Sequence, residues 1–321
     1  MSDASVPRRP ANPSVVTEPA APEVLAGIVY RRATPDDSRT TYDVFLDAAS
    51  HLARTRGWAA TQRSTDPPER FLAFRASVLR HDPDGFWVAE ADGGLVGFGV
   101  AVQREHVWYL AALHVLPAWQ SKGVGAEIIR RALAAAKPDS LLTVGADARN
   151  PVSNALYGRF GMFPQTALLE LSGVATRGAT DILRPGAPDA GDLDAIDRAT
   201  LDAARPEDHE FWASVSNLHQ YAVVRDGRMV GYAYVQADGA IGPIAVLDPA
   251  DLAPALEASI AAAAELGAAS ARVRIPGVAR AAVAGLLARG WRYGDAVTLV
   301  LTSAPWGRWD RYVTSGADAL L

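Results

Sequence analysis

Apolar and polar positions fall into short runs from Ile28 onward. The run Ile28 to Thr34 predicts a strand. Pro35-Asp36 then opens a helix through YDVFLDAASHLARTRG, stopped by Arg56-Gly57. A second helical pattern spans about Pro68 to Arg80. FWVAEADGG and LVGFGVAVQ are apolar-rich runs joined by Asp92-Gly93-Gly94, which predicts a hairpin. His106 to Pro117 is strongly apolar, as expected of a strand central in a sheet. After the turn AWQSKGVGAE come a helix from Val124 to Lys137, a strand from Leu141 to Asp147 and a helix from Asn150 to Gly161. Asn150 is its cap, Pro151 its first turn and Gly161 its end. A strand ALLELSG ends near Gly173. The order β-α-α-β-β-β-α-β-α-β is that of a mixed α/β domain.

From about Gly178 the plan repeats. Asp226-Gly227-x-Met229-Val230-Gly231-Tyr232 matches Asp92-Gly93-x-Leu95-Val96-Gly97-Phe98 at identical spacing, and Gly290-Trp291 matches Gly161-Met162. The strands DILRPG, GAIGPIAVLDP, SARVRI and AVTLVL, with helices at about 192–204, 207–215, 249–266 and 278–290, complete the copy. An internal duplication explains this better than two unrelated α/β domains. The expected organisation is a disordered tail over 1–25, a domain over 26–174 and a second over 178–321. The Pro/Ala/Ser-rich tail lacks the apolar stretch of a secretory signal. Trp306, Trp309 and Tyr312 near the C-terminus are expected to dock against the body.

Composition changes the picture by exclusion. The chain has 321 residues, 49% hydrophobic, with a formal net charge of −5. No basic surplus exists to neutralise many phosphates, so a nucleic-acid partner is not expected. There is no cysteine, hence no disulfide, thiolate nucleophile or cysteine-held metal. No apolar run reaches the 18 or so residues of a membrane helix, so no membrane partner is expected and a cytoplasmic location is the expectation. The six histidines form no HExxH or His-x-x-x-His pair, so no metal is expected.

The candidate chemistry lies in Gln120-Ser121-Lys122-Gly123-Val124-Gly125-Ala126, between a buried strand and a helix. Its glycines let the backbone bend and a ligand approach. Unpaired amides and the helix dipole favour an anion there, above all a phosphate or diphosphate. Lys122, one of the chain's two lysines, adds charge. Turn geometry alone also accounts for such glycines, and neither GxGxxG nor GxxxxGK[ST] is met. On the next helix Asn150 and Tyr157 lie two turns apart on one face. A tyrosine hydroxyl can protonate a leaving group; capping and packing are the alternative roles of this pair.

Taken together, Leu113-x-Val115-x-Pro117, the Gln-x-x-Gly-x-Gly loop and the helix from Asn150 through Tyr157 to Gly161-Met162 resemble the GNAT acyltransferase superfamily over roughly Ile28 to Gly173. The resemblance implies two tandem GNAT-like domains, each a mixed central sheet flanked by helices. It implies that the amides of Gln120, Ser121, Lys122, Gly123, Val124, Gly125 and Ala126 hold the diphosphate of acetyl coenzyme A as cosubstrate. Leu113, His114 and Val115 would pair through their main chain with the pantetheine arm, and Asn150 and Asn154 would lie beside it. Tyr157 would protonate the departing thiolate as an amine, on a small molecule or peptide, attacks the thioester directly.

Members of the family often carry a glutamate base on the central strand. Here that position is Tyr109, with Ala111 two residues on, and neither is a base at neutral pH. Glu105, His106 and His114 are nearby. Strand alternation turns His114 away from the Tyr109 side unless a bulge intervenes. Proton removal is therefore expected through ordered water or a residue of the two N-terminal helices, where Trp58, Phe71 and Arg75 are candidates to line an acceptor pocket. In the second half, an offset of 129 maps Tyr157 to Leu286 and Asn150 to Ala279, and Asp251 stands at the corresponding helix start without a glycine pair. Gly242-Pro243 interrupts its central strand. One coenzyme A per chain is the expectation, in a monomer or homodimer. A non-catalytic acyl-coenzyme A sensor and a purely structural protein are the competing readings.

Overall fold

The computed structural model describes residues 27–55, 57 and 66–315. The tail over 1–25 and Trp58 lie outside them. The first half comprises β1 (Val29–Arg32), α1 (Asp37–Thr55), α2 (Glu69–His81), β2 (Phe86–Ala91), β3 (Gly94–Arg104), β4 (Val107–Val115), α3 (Val124–Leu133), β5 (Leu141–Asp147), α4 (Pro151–Arg159) and β6 (Phe163–Val174). The second comprises β7 (Leu183–Pro185), α5 (Ala190–Leu201), α6 (Pro206–Ser214), β8 (Leu218–Arg225), β9 (Arg228–Gln236), β10 (Ala240–Val246), α7 (Leu252–Glu265), β11 (Ser270–Pro276), α8 (Arg280–Ala288), β12 (Arg292–Thr302) and a short β13 (Tyr312–Val313). Among the described residues no helix is long and apolar enough to cross a membrane.

Local chemistry explains the repeated elements. Both hairpins turn on an Asp-Gly pair with two positive φ angles, 54° and 77° at Asp92-Gly93 and 50° and 74° at Asp226-Gly227. This conformation matches the twist of the strands on either side. Helix α4 begins where the Asn150 side chain accepts from the Ser153 amide and ends where Gly161 adopts φ 80° and the Met162 amide donates to the Tyr157 carbonyl. Helix α8 ends the same way, with Gly290 at φ 79° and the Trp291 amide on Leu286. Helix α3 stops at Leu133 rather than the expected Lys137, and turns at 134–136 lead into Pro138.

The strands form one sheet in the order β1-β2-β3-β4-β5-β12-β6-β11-β10-β9-β8-β7, with β13 paired to β10 off this path. The two halves have exchanged their last strands. Strand β12 of the second half lies beside β5, while β6 of the first half lies beside β11, and β12 and β6 pair with each other. β6 begins at Phe163, four residues before its expected start, because it pairs with β12 from that residue on.

Helices α1, α2, α5 and α6 share one face and one core, joined where Phe74 meets Phe211 edge-on at 5.4 Å. α3 and α4 cover the first half's other face, and α7 and α8 the second's. Between the halves, buried Arg104 of β3 donates to Asp82 at 2.8 Å and to Asp208 of α6 at 2.6 Å. Removing either buried partner would leave an uncompensated charge.

Candidate active site

Strands β4 and β5 run parallel and pair only from Val107–Leu141 to Leu110–Val144. Beyond that they diverge. β5 continues beside β12, and β4 stays with β3 alone, so the β5-facing amides and carbonyls of Ala111 to Val115 are left without a strand partner. A cavity of about 890 Å³ opens in the fork, within the usual range for small-molecule sites. Its walls come from α1, α2, β4, β5, α4 and the start of α3, together with Arg274, Val297 and Thr314 of the second half.

At one end lies the loop from Gln120 to Ala126. The Gln120 side chain donates to the Val115 carbonyl at 2.9 Å and ties the loop to β4. Ser121 and Gly123 take positive φ, 60° and 89°, and Gly123 begins α3 with no side-chain cap. The first intrahelical bond runs from the Glu127 amide to Gly123, leaving the amides of Val124, Gly125 and Ala126 to an outside acceptor. A Cβ on Gly125 would meet Leu113 at 3.5 Å and Leu156 at 3.6 Å, ordinary contacts. The protein's own packing therefore does not demand glycine at 125. Its missing side chain leaves room in the cavity it lines. Lys122 is exposed, its ammonium 5.2 Å above the Trp119 ring, and the Val124 side chain is core; neither side chain reaches the cavity.

Of the two asparagines, Asn150 lines the cavity while its side chain caps α4. Asn154 does not line it; its amide donates to the Asp147 carbonyl at 3.1 Å and braces the β5–α4 turn. Tyr157 is 6% exposed and borders the cavity. Among the described residues its hydroxyl has no hydrogen-bond partner, and burial pushes its pKa well up. It is fully protonated at neutral pH and free to donate into the cavity.

The expected orientation of His114 needs correction. The β3–β4 register passes from Ala101–Leu110 to Val100–Ala112, so Ala111 is bulged out. A bulge adds one residue to the alternation, and Tyr109 and His114 therefore share a face. His114 sits edge-on to Phe45 at 5.0 Å and beside Phe98 at 5.3 Å. Burial, reinforced by Arg75, drives its pKa down to about 3 and keeps it neutral. Tyr109 is pushed up by burial. Neither group takes a proton readily near neutrality. Glu105 and His106 stand at the tip of the β3–β4 hairpin, away from the cavity, where Glu105 pairs with Arg198 at 2.7 Å. Phe71 and Arg75 both line the cavity, with the Arg75 guanidinium 4.3 Å over the Phe71 ring.

Sequence reasoning missed His51, Asp147 and Arg274 on the cavity wall. Asp147 is pushed up by burial and pulled further down by the Arg149 guanidinium, which grips it twice at 3.0 Å. Its position at the end of a predicted strand was the available signal. Arg274 carried none, because only the exchange of strands brings it there.

The second half opens the same fork and closes it. β10 pairs with β11 only at Ala240 and Ile241, and a register shift follows across the cis Gly242-Pro243 bond. Strand β13 lies in the gap, pairing Val313 with Ile244 and Tyr312 with Ala245, while Thr314 bridges to Arg274. Asp251 precedes α7 and forms an ion pair with Arg225, and Pro254 removes a donor from its first turn. Leu286 and Ala279 stand at the places of Tyr157 and Asn150. The C-terminal aromatics dock as expected: Trp306, Trp309 and Tyr312 are all buried. Tyr312 accepts from Arg205 at 3.0 Å, and Arg205 in turn reaches Asp197 at 3.2 Å.

The Acetyltransferase (GNAT) family profile matches residues 51–162. No curated protein matches the chain. Among solved structures, a putative acetyltransferase from Pyrococcus horikoshii is 19% identical with a TM-score of 0.68, covering 92% of this chain and 95% of its own. A GCN5-related N-acetyltransferase from Sphaerobacter thermophilus is 13% identical with a TM-score of 0.58, covering 91% and 98%. A tandem GNAT protein from the clavulanic acid biosynthesis pathway is 16% identical with a TM-score of 0.55, covering 87% and 99%. At these identities the likeness is one of fold. The chain thus has the fold of a tandem GNAT protein, and residues 51–162 of its first half match the acetyltransferase (GNAT) family.

Proposed function

We propose that the protein is an N-acyltransferase that moves an acetyl group from acetyl coenzyme A to an amine, with its one active site in the first half. The observation that carries this is the β4–β5 fork, running from the open start of α3 to the unpartnered Tyr157 hydroxyl. The α3 amides would hold the diphosphate and the free edge of β4 the pantetheine arm. The amine nitrogen attacks the thioester carbonyl, whose oxygen is polarised by a strand amide. The carbon–sulfur bond breaks and its electron pair leaves on sulfur, which takes the Tyr157 proton; the proton lost by the amine passes to water or to His51 of α1. Positioning and hydrogen bonding supply the catalysis, with no covalent enzyme intermediate.

Thiol release from acetyl coenzyme A across an amine panel, run beside Tyr157→Phe, tests the reading. Activity in the wild type and its loss in the variant are expected; equal rates in both would remove Tyr157 from the mechanism. Calorimetry should give one coenzyme A per chain, and two equivalent sites would refute the assignment to one half. The Tyr109 side chain where family members often carry a carboxylate favours a second reading, an acyl-coenzyme A sensor, which binds coenzyme A and releases no thiol with any amine.

A further inference from the structure

Arg274 belongs to β11 of the second half, yet its side chain lines the first half's cavity. A guanidinium offers five donors in a flat fork. Among the described residues none of Arg274's side-chain donors makes a hydrogen bond; its one ionic contact is Glu170 across the strand pair, at 3.6 Å. Both side chains are partly open, at 20% and 38% exposure, so that contact is weak. Tyr109 and Asp147 line the same cavity, and the positive field of the guanidinium lowers the proton affinity of both. The rest of the wall has the same sign. Arg75 and Arg159 line the cavity, and the acid that lines it among the described residues, Asp147, is already gripped by Arg149. A chain of net charge −5 has thus gathered cations around this one space.

Resting on the acyltransfer reading, we propose that the acceptor is an amine that also carries a carboxylate, and that Arg274 seats the carboxylate. The second half then sets acceptor choice in a site it does not otherwise build. A planar carboxylate takes two parallel donors from the fork, and its negative charge is countered there. Thr314, whose amide donates to the Arg274 carbonyl at 3.1 Å, fixes the strand that presents this side chain.

The test measures kcat/KM for a series of amino acids, each beside its own carboxamide, by thiol release. The wild type should prefer the acids by roughly ten- to a hundred-fold, the value of a hydrogen-bonded charge pair. Arg274→Gln should collapse that ratio toward one, mainly through KM. Arg274→Lys, which keeps the charge but not the fork, should restore part of it. Glu170→Gln removes the competing carboxylate and should widen the ratio. No preference in the wild type, or the wild-type preference retained in Arg274→Gln, overturns the inference while acyl transfer stands. Silence from every amine overturns the acyltransfer reading, and this inference with it.

Discussion

The two halves share a hairpin turn, a helix stop and a fork in the sheet, but only one fork is open. In the first half, β4 and β5 part around a cavity that ends at uncapped amides. In the second, the same parting of β10 and β11 is filled by β13, and the matching helix start is shut by Asp251 and Pro254. The fork is therefore a property of the fold. The two forks differ at a few residues, Gly123 and Gly125 against Asp251 and Tyr157 against Leu286, and in β13, which fills only the second. In the second copy a strand of its own backbone fills the fork, and a buried polar network holds that strand. In that network Asp197 accepts from Tyr232 at 2.6 Å and pairs with Arg205 at 3.2 Å and His209 at 2.9 Å, and Arg205 holds Tyr312 of β13.

The largest effect expected is on that filling. Asp197→Asn removes the buried carboxylate that pairs with Arg205 and should cost about 3–5 kcal/mol in urea unfolding; a loss under 1 kcal/mol would mean β13 is held without that charge pair. Burial pushes Asp197 up, but Arg205 and His209 outweigh it, so the folded pKa is lowered. The stabilisation is then complete above the unfolded value near 3.9 and is lost as pH falls through the folded value. Unfolding midpoints recorded from pH 6 down to pH 2 should drop more steeply in the wild type than in Asp197→Asn.

In the open fork, Tyr157→Phe should lower kcat by about 10²-fold or more, with coenzyme A binding by calorimetry unchanged. Gly125→Ala sharpens the comparison through opposite signs. The helix should gain about 0.5–1 kcal/mol in thermal unfolding, because the Cβ fits its protein neighbours, while coenzyme A affinity falls roughly tenfold from crowding of the diphosphate. The smallest effect is a null one. Asp251→Gly removes the carboxylate at the second helix start, yet titration should still give a single coenzyme A per chain because β13 fills the fork; a second site would show that Asp251 alone closes it.

Much of this was legible in the sequence where the determinants are local. The Asp-Gly hairpins, the Asn150 cap, the Gly161 and Gly290 stops and the Gln120–Gly125 loop each rest on residues that act within a few positions of themselves. The failures lie where distant segments decide. The bulge at Ala111 sits in the uniformly apolar run Leu110-Ala111-Ala112-Leu113, which carries no glycine or proline to mark it. The exchange of β6 and β12 is invisible because both are apolar-rich strands at the end of their half and nothing in either run names its neighbour. Arg274 reads as one arginine among many until that exchange sets β11 against β6. Strand β13 is two residues long, too short to carry a periodicity, and is held by its pairing with β10 and by the Tyr312 hydroxyl on Arg205.

The traded strands have a consequence for inheritance. A gene cut between residues 174 and 183 would encode two pieces, each with a gap in its sheet that only the other piece fills. The half whose fork is filled is for that reason not spare: the half with the open fork needs its edge to be whole, and selection acting on one preserves the other.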